Sequence, residues 1–298
     1  MAAPESSISK VIKTYTLTSK SFKQKPILWV PFAVYFAIEL ITLAILYLAP
    51  RMPLKIIFAP PIRTFWGERF LHYPYNFLLL PKLFSLSRMF SSVVLGSLLT
   101  GMAVVIISHI YQKKHIKLGL SFKAAFKKYI SLFTIVLIVT MLFFYLTKVM
   151  PWLLIKYFSA GHAKLLFLKA QIWMGPILLC LNYILILLLQ AFFIYAIPVL
   201  LIGQEKLLKS IMKSFVLCKR MFIPTIILVG IPMLIYIPFT IVNQNIFFLI
   251  NNVFPEFVLI VLIFSSFMSS LVVDALVTTS TTLLYLANKD KINSAVGK

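Results

Sequence analysis

Acid is what this chain has least of. Seven Asp and Glu stand against 29 Lys and Arg in 298 residues. Outside the apolar runs the acids are Glu5, Glu68, Glu205, Glu256 and Asp290, and no two of them share a helical face. Acid–base hydrolysis, which needs such a pair or a metal, has no candidate. Metal ligands are equally sparse. The histidines His72, His109, His115 and His162 have no partner ligand three or four positions away, so no metal site is expected. Cys180 and Cys218 fit no ligand spacing and exclude a disulfide framework. There is no Walker loop, no GxSxG elbow and no HExxH. The chain is therefore expected to be no enzyme, to have no catalytic residues and to need no cofactor.

Polar residues in general are few. Charged side chains make up 12% of the chain, 61% is hydrophobic, and the mean hydropathy is +0.99. A soluble protein of this length needs far more polar surface. A helix needs about 20 mostly apolar residues to cross a bilayer. Six runs have that length: Leu28–Ala49, Met89–Tyr111, Ile130–Met150, Trp173–Gly203, Ile223–Val242 and Phe257–Ala287. The fourth and sixth are long enough to tilt or to project beyond the core. Alternating barrel strands are absent, so these runs must be helices. The expected fold is an all-α polytopic integral membrane protein of six transmembrane helices. No polar linker divides it into domains. Polar residues precede the first run and no small-residue cleavage pattern ends it, so an uncleaved span is expected rather than a signal peptide.

The bases are unevenly placed. Lys10–Lys25, Lys113–Lys128, Lys206–Arg220 and Lys289–Lys298 gather most of them on one side of the six spans. The other side has Arg51, Lys55, Arg63, Arg69, Lys82 and Arg88, then Lys148, Lys156, Lys164 and Lys169. The positive-inside rule puts both termini in the cytoplasm of a cell bounded by this membrane, which for a bacterium is the plasma membrane. A net charge of +22 beside apolar spans points to anionic lipid, at roughly 1 kcal/mol per base, rather than to nucleic acid. The segment from Pro50 to Arg88 carries Trp66, Phe70, Tyr73, Tyr75 and Phe77 before Leu78–Pro81, which fits an interfacial or re-entrant stretch.

Basic amphipathic stretches precede the first, third and fifth spans. Ile8, Val11, Ile12, Tyr15 and Phe22 make one face of the first. Leu208, Ile211, Met212, Phe215 and Phe222 make the last, at an offset of 200 from the first copy. Phe122, Ala125, Phe126 and Tyr129 form a looser middle copy. Three interfacial helices are expected, with apolar faces in the acyl boundary. Their bases Lys13, Lys20, Lys123, Lys127, Lys209, Lys213 and Arg220 would stand among headgroups. Residues 8–111, 113–203 and 205–288 would then be repeats, each an interfacial helix and a membrane hairpin. The alternative is that positive flanks alone produce such linkers in any multi-span protein.

The stretch from Ala191 through Gln204–Phe222 combines an apolar span, a polar turn and a basic helix with Ser214, Phe215 and Leu217. Near the end of the last span stand Thr281, Thr282, Leu284 and Tyr285, then Asn288 and Lys289. Together these resemble the six-helix membrane domain fused to some glycerophosphoryl diester phosphodiesterases, and its stand-alone bacterial relatives of unknown function. That family's catalytic domain has no counterpart here, so the resemblance implies the membrane fold and no hydrolase activity.

Two carboxylates lie inside spans, Glu39 in the first and Asp274 in the sixth. Each costs about 2.5–3.5 kcal/mol to insert, which marks a relay, a ligand or a hydrogen-bonded neutral acid. No Lys or Arg is evident as their partner. Asn182, Gln190, Ser265, Ser266, Ser269, Ser270, Thr278, Thr279 and Ser280 could line a path or join helices. Ser92, Gly96 and Thr100, with Ser97 and Gly101, are small-residue rows suited to close helix packing. Pro224, Pro232 and Pro238, with Gly230, would kink or break the fifth span, the best local hint of a transporter. Two functions follow from these features: an accessory or scaffold protein that engages anionic lipid and a membrane-protein partner, or a permease for a small molecule or lipid.

Overall fold

In hydrocarbon a backbone amide has no water to bond, so long apolar runs close their hydrogen bonds internally as helices. The computed structural model describes residues 6–149, 152, 156 and 180–296, and these are helical between short turns, with no strand among them. We number the helices in chain order. Six are long and apolar enough to cross a membrane: α2 (Pro26–Leu48), α4 (Asn76–Tyr111), α6 (Tyr129–Thr147), α7 (Cys180–Ile202), α9 (Phe222–Asn243) and α11 (Phe257–Lys289). Three basic helices precede α2, α6 and α9, namely α1 (Ser7–Gln24), α5 (Leu118–Lys127) and α8 (Leu207–Arg220). Two short helices, α3 (Lys55–Phe65) and α10 (Ile246–Asn252), lie in the connections at the other end of the bundle. His162, Lys164, Lys169 and the predicted start of the fourth span at Trp173 lie outside the described residues.

Of three apolar cores among the described residues, the two larger stack along the bundle and the third, Ala59, Ile62, Leu71 and Leu79, lies at α3. The larger joins Leu28 and Phe32 of α2, Met102 and Ile106 of α4, Leu132 of α6, Tyr195 of α7, Leu228 of α9 and Leu284 of α11. Val11, Ala125 and Leu217, one from each basic helix, belong to it, which places α1, α5 and α8 at the same end. The second core gathers Leu43, Phe77, Phe84, Ile250 and Leu262 at the opposite end. Lipid is as apolar as leucine, so these cores hold by close packing and not by exclusion from water. The stretch Thr279–Leu286 of α11 is buried throughout and forms a central post against α1, α4 and α9. Two of its hydroxyls bond back to the helix, while those of Thr279 and Thr282 are buried without a hydrogen-bond partner among the described residues. Thr281 donates to the Val277 carbonyl at 2.6 Å and Ser280 does so at 3.3 Å, both within their own helix.

Two expectations need correction. The Pro50–Arg88 segment is not wholly interfacial, because α4 begins at Asn76 and runs unbroken through Leu78–Pro81 and Arg88. Only α3 and a single 3-10 turn at Glu68–Leu71 precede it. At about 1.5 Å per residue α4 is near 54 Å long, well beyond a hydrocarbon core of about 30 Å.

The fifth span is the second correction. The helix continues through Pro232 and Pro238 without a break. Pro232 has no amide hydrogen, so the Leu228 carbonyl one turn earlier loses its helical donor. The Tyr15 hydroxyl of α1 supplies the missing bond at 3.2 Å. Pro232 thus marks where α1 docks. Tyr15→Phe should cost about 1–3 kcal/mol by leaving that carbonyl unpaired. In a Pro232→Ala background, where the amide returns, the same change should cost little. Denaturant titration of the four proteins in micelles measures both.

Candidate functional site

The basic end of the bundle carries one arrangement three times. On α1 the residues packed inward include Thr14 and Thr18, on α5 they are Ser121 and Ala125, and on α8 they include Ser214 and Cys218. These small side chains sit one helical turn apart and let each helix lie close against the spans. The Ser214 hydroxyl, for example, donates to the Phe192 carbonyl at 2.6 Å. Beside each inward strip stands an exposed bulky pair: Ile8 and Ile12, Phe122 and Phe126, Leu208 and Met212. Beyond that strip, round the helix in the same sense, come Lys13 and Lys20, Lys123 and Lys127, Lys209 and Arg220, all exposed.

The amphipathic stripes read from sequence are therefore split. Val11 and Phe22 face the bundle while Ile8 and Ile12 face away from it. Lys213 departs from its expected role, because it donates to Glu205 and is only partly exposed. That hydrogen bond, with the Lys213 charge, holds the Glu205 carboxyl below the usual carboxylate range. Lys128 turns inward as well, donating to the Leu200 carbonyl at 2.7 Å at the end of α7.

The second constellation lies inside the spanning layer. Glu39 is 1% exposed on α2. It is about 20 Å along the helix from Pro26 at 1.5 Å per residue, and Asp274 is about as far from Lys289 on α11. Between them reaches Arg88 of α4. Its Nε stands 2.6 Å from Glu39 Oε1, and its other nitrogens donate to Ser269 and, at 3.4 Å, to the Tyr236 hydroxyl of α9. Ser270 donates to Glu39 Oε2 at 2.7 Å, and Tyr236 shares a 2.8 Å bond with Ser265. Tyr35, one turn before Glu39, is buried within electrostatic reach of all three charges. Asp274 is exposed, within electrostatic reach of Arg88 and Glu39, and neither hydrogen-bonded nor ion-paired among the described residues.

Arg88 is the residue that sequence reasoning missed. Counted as a flanking base, it proves to be the partner that Glu39 lacked. The signal was present in Pro50–Arg88: Asn76–Phe90 is apolar enough to continue a helix, with Lys82 and Arg88 spaced along it. Asn182 and Gln190, expected with the carboxylates, lie on α7, and among the described residues neither bonds to the cluster. Both helices that bring Ser269, Ser270, Asp274 and Arg88 together carry a π turn beside them, Ser92–Gly96 in α4 and Met268–Asp274 in α11. Such turns interrupt the ordinary face of a helix and recur at functional sites.

No group of three or more His, Cys, Asp or Glu that could hold a metal occurs among the described residues. A shallow depression lies beneath α3, lined by Ala49, Ile62, Phe70 and Leu80 among others, and includes no residue of the charged cluster.

The two stretches that carry the resemblance noted above meet at the basic end. Phe215 stacks on Phe192 and meets Phe193 edge-on, with ring centroids 5.3 and 5.2 Å apart, while Leu217, Leu284 and Tyr285 share the larger core. The chain matches no model of a known protein family, no curated protein and no solved structure.

Proposed function

We propose that this multi-span membrane protein is a non-enzymatic accessory or scaffold protein that gathers anionic lipid against the face formed by α1, α5 and α8. The observation that carries the reading is the threefold recurrence of inward small residues, outward bulky residues and lysines in one rotational order. Such a helix seats its bulky strip in the acyl boundary and its lysines among phosphates. By the positive-inside rule this face and both chain ends are cytoplasmic. A partner protein would meet the lipid-coated face.

The test replaces Lys20, Lys123, Lys127, Lys209 and Arg220 with glutamine, residues that are exposed and outside all three cores. At roughly 1 kcal/mol each, every replacement should weaken anionic lipid retention several-fold. Lipid extraction or native mass spectrometry of protein from nanodiscs containing phosphatidylglycerol measures it, and added salt should weaken the wild type in the same direction. Retention indifferent to both the substitutions and salt would overturn the reading.

A second reading, a permease for a small molecule or lipid, is favoured by one observation: Glu39 and Asp274 converge on Arg88. Uptake by proteoliposomes that Glu39→Gln and Asp274→Asn abolish would favour it over the scaffold.

A further inference from the structure

Two carboxylates and one guanidinium meet inside the spanning layer, so with both acids ionised the cluster carries a net negative charge. An uncompensated charge at this depth costs several kcal/mol. Among the described residues, the segments packed against the turn Met268–Asp274 offer no cation beyond Arg88. From α2 come Tyr35 and Glu39, from α9 Tyr236, and across from them stands Arg88 of α4. Neither Phe257–Phe267 nor Ala275–Leu284 of α11 contains a base. Among the described residues no further side chain supplies the missing positive charge.

The two acids are not equivalent. Glu39 is fully buried and already holds the guanidinium and the Ser270 hydroxyl. Asp274 holds neither and is exposed. The π turn carries both Ser269, which accepts from Arg88, and Asp274, and the guanidinium stands within electrostatic reach of this second acid. Glu39 Oε1 in turn has the Arg88 nitrogen beside it but no aligned donor, leaving a place for a proton.

We propose that the cluster is a proton-exchange site: Asp274 carries one proton, and proton and guanidinium trade places between Asp274 and Glu39. In the exchange the Asp274 O–H bond breaks and an O–H bond forms on Glu39, the proton passing from one carboxyl to the other. Arg88 leaves the Glu39 carboxylate for that of Asp274. The total charge is the same before and after, so neither state strands an ion in the membrane. The site joins α2, α4, α9 and α11, and it stands independently of the lipid-gathering face.

Infrared spectroscopy of the full chain in nanodiscs tests this at neutral pH, where the solvated acids are ionised. The wild type should show one carboxylic acid carbonyl band that shifts on transfer to D2O. Asp274→Asn should lose the band. Glu39→Gln should also lose it, because Arg88 is then free to pair with Asp274 and the proton is released. A merely structural acid, neutral regardless of Arg88, would keep its band in Glu39→Gln, and that result overturns the proposal. So does a wild type without a band, a band that D2O leaves unmoved, or one that survives Asp274→Asn. If Glu39→Gln fails to fold, the wild type in D2O and Asp274→Asn still decide whether Asp274 holds an exchangeable proton. Sodium replacing choline should leave the band unchanged; its disappearance would mean a cation site and not a proton site.

Discussion

Arg88→Met is expected to lower the stability of the folded protein by about 3–5 kcal/mol, the largest loss from any single change at the cluster. The side chain is close in length and apolar, so the helix and its packing survive. What goes is the only base in contact with Glu39 among the described residues, 2.6 Å away. Glu39 is then a buried carboxylate with one serine donor, and it must either remain an unpaired ion or take a proton. Ser269 and Tyr236 lose their donor at the same time. The double change Glu39→Leu, Arg88→Met should recover most of the loss, since replacing a whole buried pair with apolar side chains is often neutral or stabilising. Denaturant titration in micelles of wild type, both single variants and the double variant gives the coupling directly. If Arg88→Met costs under about 1 kcal/mol, the pair contributes no more than a solvated ion pair does, and Glu39 is not confined as the geometry has it.

Hydropathy alone placed the six spans, because a helix in lipid is specified by length and apolarity and needs no partner to be recognised. It placed the end of α2 and the start of α11 closely. It failed at the start of α4, where Lys82 and Arg88 interrupt the apolar window though the helix runs straight through them. That one boundary hid the ion pair, since a base judged to flank the membrane is not considered as a partner for an acid within it. Glu39 and Asp274 were legible as candidates, but their convergence was not, because residues 39, 88 and 274 are joined only by tertiary packing. The π turns were equally hidden, having no composition of their own.

The basic helices show a different limit. Periodicity found one apolar stripe per helix but could not say which part faced protein and which faced lipid. Thr14, Ser121 and Ser214, small and hydroxylated, were the inward markers, and a hydropathy scale counts them as neutral. Helix α9 continues through Pro232 for a physical reason the sequence hid as well. A proline's consequence depends on whether some other group reaches the carbonyl it orphans, and Tyr15 lies more than two hundred positions away in the chain.

Gly101→Val is expected to cost about 3 kcal/mol, and Leu132→Ala to cost about 2–5 kcal/mol, yet the two together should cost under about 1.5 kcal/mol. Gly101 of α4 sits where α5, α6 and α7 converge on it. A Cβ there would fall 2.7 Å from Leu132 Cδ1 and 3.4 Å from both Ala125 Cβ and Leu201 Cδ1. Leu132 is fully buried, so its side chain has no solvent to move into. Valine at 101 adds three carbons, and alanine at 132 removes three from the same space, so the pair conserves volume where each alone overfills or empties it. The double-mutant cycle in micelles should therefore show a coupling of several kcal/mol, far above the few tenths of independent sites. Strict additivity would mean that α4 and α6 are not in contact at this depth. The small-residue row read from Ser97 and Gly101 would then serve some other purpose than bringing two membrane helices to close approach.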